Sequence, residues 1–374
     1  MKMALVHDHL LEFGGAERVF FALKHIFPDS DIYTAAYNNN MLKKHVPESA
    51  NWKINSSWAS RIPFFSKLYS PLRFLTPWIW ESFDLTDYDV VISSSGWFMS
   101  KGVITKDQTL HVCYLHHQPR YLYYYETAVE WQKYFPVKIY AHFINHFLRI
   151  WDFQSSQRPD YFIANSHETK KRIQKFYRRD SEVIYPPVDI PKDEVFKMQK
   201  FEKRDYYVTL SRLSKTKNID VLIKTANELK IKLKIVGVGR DEEYLRSLAG
   251  DSIEFLGRVS DEKFGSLYQG SKAFLFASVD EEFGIAPVEA MGYGVPVIAY
   301  ASGGLKETVK DGYNGYLYNK LHKRYLIEKI KELELLSNED YMNMAKNARK
   351  EAEKYSYKNF EKNIKKFINT YNHS

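Results

Sequence analysis

The chain has 374 residues, 44% of them hydrophobic and 27% charged, a globular composition with length for two or three domains. Its one cysteine, Cys113, closes no intrachain disulfide and supplies no multi-cysteine metal cage, which excludes a disulfide-stapled scaffold. The net charge of +8 is shared by both halves of the chain rather than gathered into one basic block, which argues against a nucleic-acid partner.

From the N-terminus, Met3–Val6 reads as a buried strand, too short for the core of a signal peptide, and no stretch reaches the roughly 18 apolar residues of a membrane span. The expectation is a soluble, cytoplasmic protein. A loop over His7–Gly14 leads to a helix from Gly15 to about Ile26, with Val19, Phe20, Leu23 and Ile26 at helical spacing. Strands follow at Asp89–Ser93, Thr109–Leu115 and Tyr161–Ala164. Asn165 and Ser166 signal the cap of a charged helix near Glu168–Phe176. Glu182–Ile184 runs into Pro186 and Pro187, and the pattern then restarts. Strands are expected at Tyr207–Leu210, Leu233–Val236, Ile253–Phe255, Ala273–Ala277 and Val297–Ala299. Helices are expected at Ile219–Leu229, Glu242–Leu248, Lys263–Gly270 and Pro287–Gly292, with a helical tail over about 340–371.

Strands alternating with helices predict an α/β protein of two doubly wound parallel sheets. The boundary falls at the double proline and the charged segment Lys192–Lys203, giving domains 1–187 and 188–374. Such units bind ligands at the carboxyl ends of their strands, so a cleft between the domains is expected.

The segment Asp280–Met291 (DEEFGIAPVEAM) is the richest in chemistry. It follows a buried strand and opens a helix. Gly284 lets the backbone approach a ligand, Pro287 suits the first helical position, and free N–H groups there favour a phosphate. Glu281 and Glu289 flank the turn at Phe283–Ala286, and carboxylates accept paired hydrogen bonds from vicinal diols. Taken alone, such a pair also reads as solvated acids on a capped helix. Arg212 and Lys217, five apart after a strand, suit a diphosphate, or are two surface cations. Gly237 and Gly239 do not complete G-x-G-x-x-G, because position 242 is Glu, so a nicotinamide dinucleotide is disfavoured. No Asp-x-Asp pair stands at a strand end, and neither a metal nor another cofactor is expected.

The Glu281–Glu289 string resembles the Glu, seven residues, Glu motif of the family 4 retaining glycosyltransferases. Glu282 stands where that family usually has Gly, and Ala286-Pro287 where it has Pro-x. Ser211–Asn218, Ile235–Gly239, Phe255–Ser260, Ser302–Gly304 with Glu307, and Asp311–Gly315 resemble further family segments in the same order. Phe13–Arg18 is similar to the family's G-G-x-E motif. His116–Tyr121 is similar to the H-T-P-x-R stretch of bacterial members, many of them mannosyltransferases of O-antigen assembly.

The resemblance implies the GT-B fold: two Rossmann-like domains facing a central cleft, the final helix over about 356–374 packing back on the first. It implies a hexosyltransferase that uses a nucleotide-sugar donor and a glycan or lipid-linked acceptor. GDP-mannose is the expected donor, with a UDP-hexose as the alternative, and a non-catalytic sugar-nucleotide-binding protein as the other reading. His116 and Glu281 take the catalytic roles. Gly15, Arg120, Arg212, Lys217, Arg258, Val259, Phe283, Gly284, Ile285, Ala286 and Glu289 take the substrate-binding ones. His9 is left unassigned. Residues 58–80 interleave Arg61, Lys67 and Arg73 with aromatics. They read either as a peripheral contact with the inner face of a membrane or as a Pro-broken cover for the core.

Overall fold

A computed structural model describes residues 1–127, 134–192 and 201–371. The chain divides into two compact units, one comprising Met1–Pro187 with the chain from Phe360 onward, the other Val188–Asn359. Of the charged segment at the expected boundary, 193–200 lie outside the described residues.

The first unit is built on β1 (Met3–His7), β2 (Asp31–Thr34), β3 (Ile54–Ser56), β4 (Val90–Ser95), β5 (Leu110–Leu115), β6 (Tyr161–Ala164) and β7 (Glu182–Val183). All pair in parallel, in the order β3-β2-β1-β4-β5-β6-β7. Both faces are covered, so strands such as β1 and β4 are buried at every position rather than at alternate ones. Leu5, Ile92 and Tyr114 face one core with the helix Gly15–Ile26, while Val6, Val91 and Trp80 face the other. The terminal helix Tyr357–Tyr371 completes the first core with Phe360, Ile364, Phe367 and Ile368.

The second unit carries β8 (Tyr206–Leu210), β9 (Leu233–Val236), β10 (Ile253–Gly257), β11 (Ser271–Phe276), β12 (Val297–Tyr300) and β13 (Gly315–Tyr318). The order is β10-β9-β8-β11-β12-β13, again all parallel. Each sheet reverses its winding once, between β1 and β4 and between β8 and β11. Ligand sites of doubly wound sheets form at the carboxyl side of that reversal.

Two expectations are corrected. The helix expected from Pro287 begins at Ile285, so Pro287 is its third residue. This is tolerated because the first turn's N–H groups have no intrahelical acceptor. The strand expected to end at Ser93 continues to Ser95, since Ser94 and Ser95 pair with Tyr114 and Leu115.

Candidate functional site

In the second unit the reversal brings together the segments that follow β8 and β11. Lys217 Nζ lies 2.5 Å from Glu281 Oε2 and 3.3 Å from Ser278 Oγ, and Ser278 Oγ donates to the same carboxylate oxygen at 2.7 Å. Burial alone would raise the Glu281 carboxyl. The Lys217 ammonium and the Ser278 hydroxyl outweigh it and hold the group below its usual range. The pair is about one-fifth exposed, with side-chain exposures of 22% and 19%, so it is reachable by a ligand.

The backbone around the pair is closely packed. Gly303 has φ +56°, and a Cβ there would lie 2.0 Å from the Glu281 carbonyl oxygen. Gly304 N donates to that same oxygen at 2.8 Å, and Asp280 N donates to Ser302 Oγ at 2.9 Å. Gly237, at φ +131°, brings its turn against Ser211, where a Cβ would meet the carbonyl at 1.9 Å. Gly237 N also bonds Gly257 O at 2.8 Å. The loops that carry Arg212 and Arg258 are thereby tied to one turn, and both arginines are exposed.

Gly284, at φ +88°, turns the chain into the helix Ile285–Gly292, where Glu289 sits partly exposed on the second turn. Val259, Ile285 and Ala286 are partly exposed too. Phe283 is buried, its ring 5.2 Å from that of Tyr355.

In the first unit the register His7↔Ser94 and Ser94↔Tyr114 aligns three adjacent strands. His7 Nδ1 lies 3.1 Å from the Ser94 carbonyl and 3.0 Å from Ser94 Oγ, and Ser94 Oγ lies 2.7 Å from His116 Nε2. A carbonyl only accepts, so His7 Nδ1 carries a hydrogen, and Ser94 Oγ stands between the two rings within hydrogen-bond distance of each. Glu17 Oε1 lies 3.6 Å from His7 Nε2. Burial would raise the Glu17 carboxyl, but the His7 contact overcomes it and the group sits below its usual range. The chain Glu17–His7–Ser94–His116 is buried throughout.

Gly15 is exposed at the start of the helix that carries Glu17, and Arg120 is partly exposed in the short turn Arg120–Leu122. His117 is partly buried, with Nδ1 2.9 Å from the Gln118 carbonyl. His9 is enclosed by Tyr69, Trp97 and Phe98, and burial lowers its pKa, so it stands neutral in an aromatic pocket.

No motif in the sequence singles out His7, Ser94 or Asp8. Asp8 accepts from the Gly96, Phe98 and Ser100 amides, each at 2.9 Å, and so fixes the loop after β4. The available signal was Ser93–Ser95, three hydroxyls closing an otherwise apolar strand. Among the described residues no group of three or more His, Cys, Asp or Glu is placed to hold a metal ion.

Comparison with known proteins follows the same two halves. Residues 13–192 match the model of Glycosyltransferase Family 4, and residues 191–351 that of the glycosyl transferases group 1. An uncharacterized glycosyltransferase of Methanocaldococcus jannaschii, MJ1178, is 34% identical over 146 residues, 38% of this chain and 41% of the relative. The O-antigen chain mannosyltransferase RfbU of Salmonella typhimurium is 30% identical over 206 residues, 52% of each chain. These matches span about half or less of the curated relatives' length. Anabaena Alr3699/HepE, solved in complex with UDP and glucose, has the same fold, with a TM-score of 0.71 at 20% identity over 99% of both chains.

Proposed function

The chain belongs to the group 1 and family 4 glycosyltransferases, with their GT-B fold, and from that premise we propose a retaining hexosyltransferase that takes its sugar from a nucleotide donor. The observation that carries the reading is the Lys217–Glu281–Ser278 contact at the winding reversal of the second sheet. A cation and a carboxylate side by side suit the two ends of a sugar diphosphate. Lys217 and Arg212 meet the phosphates, joined by the backbone at 283–286. Glu281 accepts from sugar hydroxyls. Glu289 accepts from the ribose hydroxyls, and Arg258 with Val259 borders the base.

In the transfer, the bond between the anomeric carbon and the phosphate oxygen breaks. The acceptor oxygen bonds the same face of that carbon, and its proton passes to the departing phosphate. Cations fixed in advance where charge grows on the leaving group supply the main acceleration. His116, oriented through Ser94, hydrogen-bonds a sugar hydroxyl, and Arg120 lies in the same segment. The donor is GDP-mannose, a reading supported by the similarity to RfbU, an O-antigen chain mannosyltransferase. The acceptor is a glycan or lipid-linked glycan of surface polysaccharide. A UDP-hexose is the second reading, favoured by the likeness to HepE, which holds UDP and glucose.

A thermal-shift panel of nucleoside diphosphates and sugar nucleotides tests this, since a ligand that binds the native state raises the melting temperature by mass action. GDP and GDP-mannose should give the largest shifts. A larger shift with UDP and a UDP-hexose would move the donor to the second reading, and no shift with any member would refute the donor site.

A further inference from the structure

More than half of the exposed large apolar side chains among the described residues lie in only two segments, residues 58–80 and the helix Phe135–Ser155. The helix has two apolar faces. Ala141, Leu148 and Trp151 point into the core of the first unit. Phe135, Ile139, Phe143, Phe147, Ile150 and Phe153, three or four apart, point outward, with Phe143 69% exposed. A surface helix needs only the first stripe to hold its place. The second stripe contributes nothing to folding and presents contiguous apolar surface, which in soluble proteins marks an interaction site.

The two segments form one surface. The Trp78 ring, 54% exposed, stacks on Phe147 with centroids 6.3 Å apart and planes 22° apart. Arg73 Nη2 donates to Asn145 Oδ1 at 3.1 Å, and the Tyr140 hydroxyl donates to the Pro71 carbonyl. Trp58 Nε1 reaches the Trp78 carbonyl at 3.5 Å. Phe64 is held at φ +60°, a left-handed conformation that costs energy for a bulky side chain, and its ring is 70% exposed. The backbone is thus strained where it holds an aromatic ring in water, a combination that suits function rather than folding. The 58–80 segment divides between its two earlier readings: Phe65, Ile79 and Trp80 are core, and Arg73 is buried against Asn145, whereas Trp58, Phe64 and Trp78 face out.

Within the two segments the exposed charges have one sign, and the exposed Glu81, which accepts from Trp151 Nε1, lies just beyond residues 58–80. Residues 58–80 contain no Asp or Glu, and the helix has only Asp152, buried against Lys101. Arg61, Lys67 and Lys138 are exposed, and Arg149 is partly so. Aromatics mixed with Lys and Arg, and free of carboxylates, match the interface of a bilayer with anionic headgroups. At 21 residues the helix is about 30 Å long, yet among the described residues no helix is long and apolar enough to cross a membrane. It would lie in the interface plane. A second copy of the chain fits less well, because a two-fold interface sets this surface against itself and would face cations with cations.

We infer that the face made by Phe135–Ser155 and residues 58–80 docks on an anionic lipid surface, with the apolar stripe entering the headgroup layer. The inference stands apart from the transferase reading, because docking is measured without sugar nucleotide. It would nevertheless place a lipid-linked acceptor within reach of the first unit.

The test is co-sedimentation of the full chain with phosphatidylcholine vesicles, with and without phosphatidylglycerol. Wild type should partition onto the anionic vesicles at least tenfold better than onto the neutral ones, and high salt should weaken it. Phe143→Glu with Ile150→Glu should lose at least tenfold of that partition at unchanged melting temperature. Leu335→Glu, at an 85% exposed apolar position in the other unit, should keep it. Equal binding of the double variant and wild type, equal binding to both vesicle types, or no binding by wild type would each overturn the inference. A wild-type dimer in sedimentation velocity that the double variant abolishes would assign the surface to a second copy instead.

Discussion

Replacing Glu281 by Gln removes the negative charge that sits 2.5 Å from Lys217 Nζ and leaves the shape of the side chain intact. A diphosphate oxygen bonded to Lys217 would lie about 5 Å from the Glu281 carboxylate, where like charges repel by about 3 kcal/mol at an effective dielectric near 20. The site is about one-fifth exposed, so solvent screens part of this and about 1 kcal/mol remains. Nucleoside diphosphate should therefore bind Glu281→Gln about fivefold more tightly than wild type, while sugar transfer falls because the sugar hydroxyls lose their acceptor. Lys217→Met should act in the opposite sense and weaken nucleoside diphosphate by about 1.5–3 kcal/mol, the range for a charge-assisted hydrogen bond. Isothermal titration of wild type, both single variants and the double variant gives the coupling between the two side chains. If Glu281→Gln weakened nucleoside diphosphate as Lys217→Met does, the division of roles within the pair would be wrong.

Ser94→Ala removes the hydroxyl between His7 and His116. Turnover should fall about three- to tenfold, the value of one hydrogen bond, with nucleoside diphosphate affinity unchanged by titration. Gly303→Ala drives a methyl toward the Glu281 carbonyl at 2.0 Å and should cost about 2–3 kcal/mol, read as a lower melting temperature and impaired donor binding. His111 is pushed down to about 3 by burial, with Arg158 and Arg179 adding to the effect. A depressed histidine contributes its stability above the unfolded value near 6.5 and loses it as pH falls toward 3, by at most about 1.4 kcal/mol per unit. Denaturant unfolding at pH 7 and pH 5 should show a smaller acid loss in His111→Gln than in wild type.

Much of both sheets was legible because β1, β4, β5, β6, β8, β9 and β11 are short, mostly apolar runs bounded by turn signals. β2 and β3 went unassigned: Asp-Ile-Tyr-Thr and Ile-Asn-Ser are short and broken by polar residues. The helix Phe135–Ser155 was missed for the opposite reason, since apolar residues on both faces erase its periodicity. Within the candidate site, Glu281 and Glu289 were readable from spacing along one strand–turn–helix unit, and Lys217 from its spacing to Arg212 after another strand. Their direct contact was not, because Lys217 and Glu281 are 64 positions apart and meet only through the β8–β11 pairing. The Glu17–His7–Ser94–His116 chain likewise depends on the register of three strands, which no local pattern encodes.

The central claim is retaining transfer of a hexose from a nucleotide donor. The most direct test follows GDP-mannose, labelled with carbon-13 at the anomeric position, by NMR in the presence of wild-type protein and a lipid-glycan extract. GDP should be released together with a mannosyl product whose anomeric configuration is that of the donor, and Glu281→Gln should be markedly slower. A product of inverted configuration would contradict the claim. So would failure to consume GDP-mannose or any UDP-hexose run in parallel.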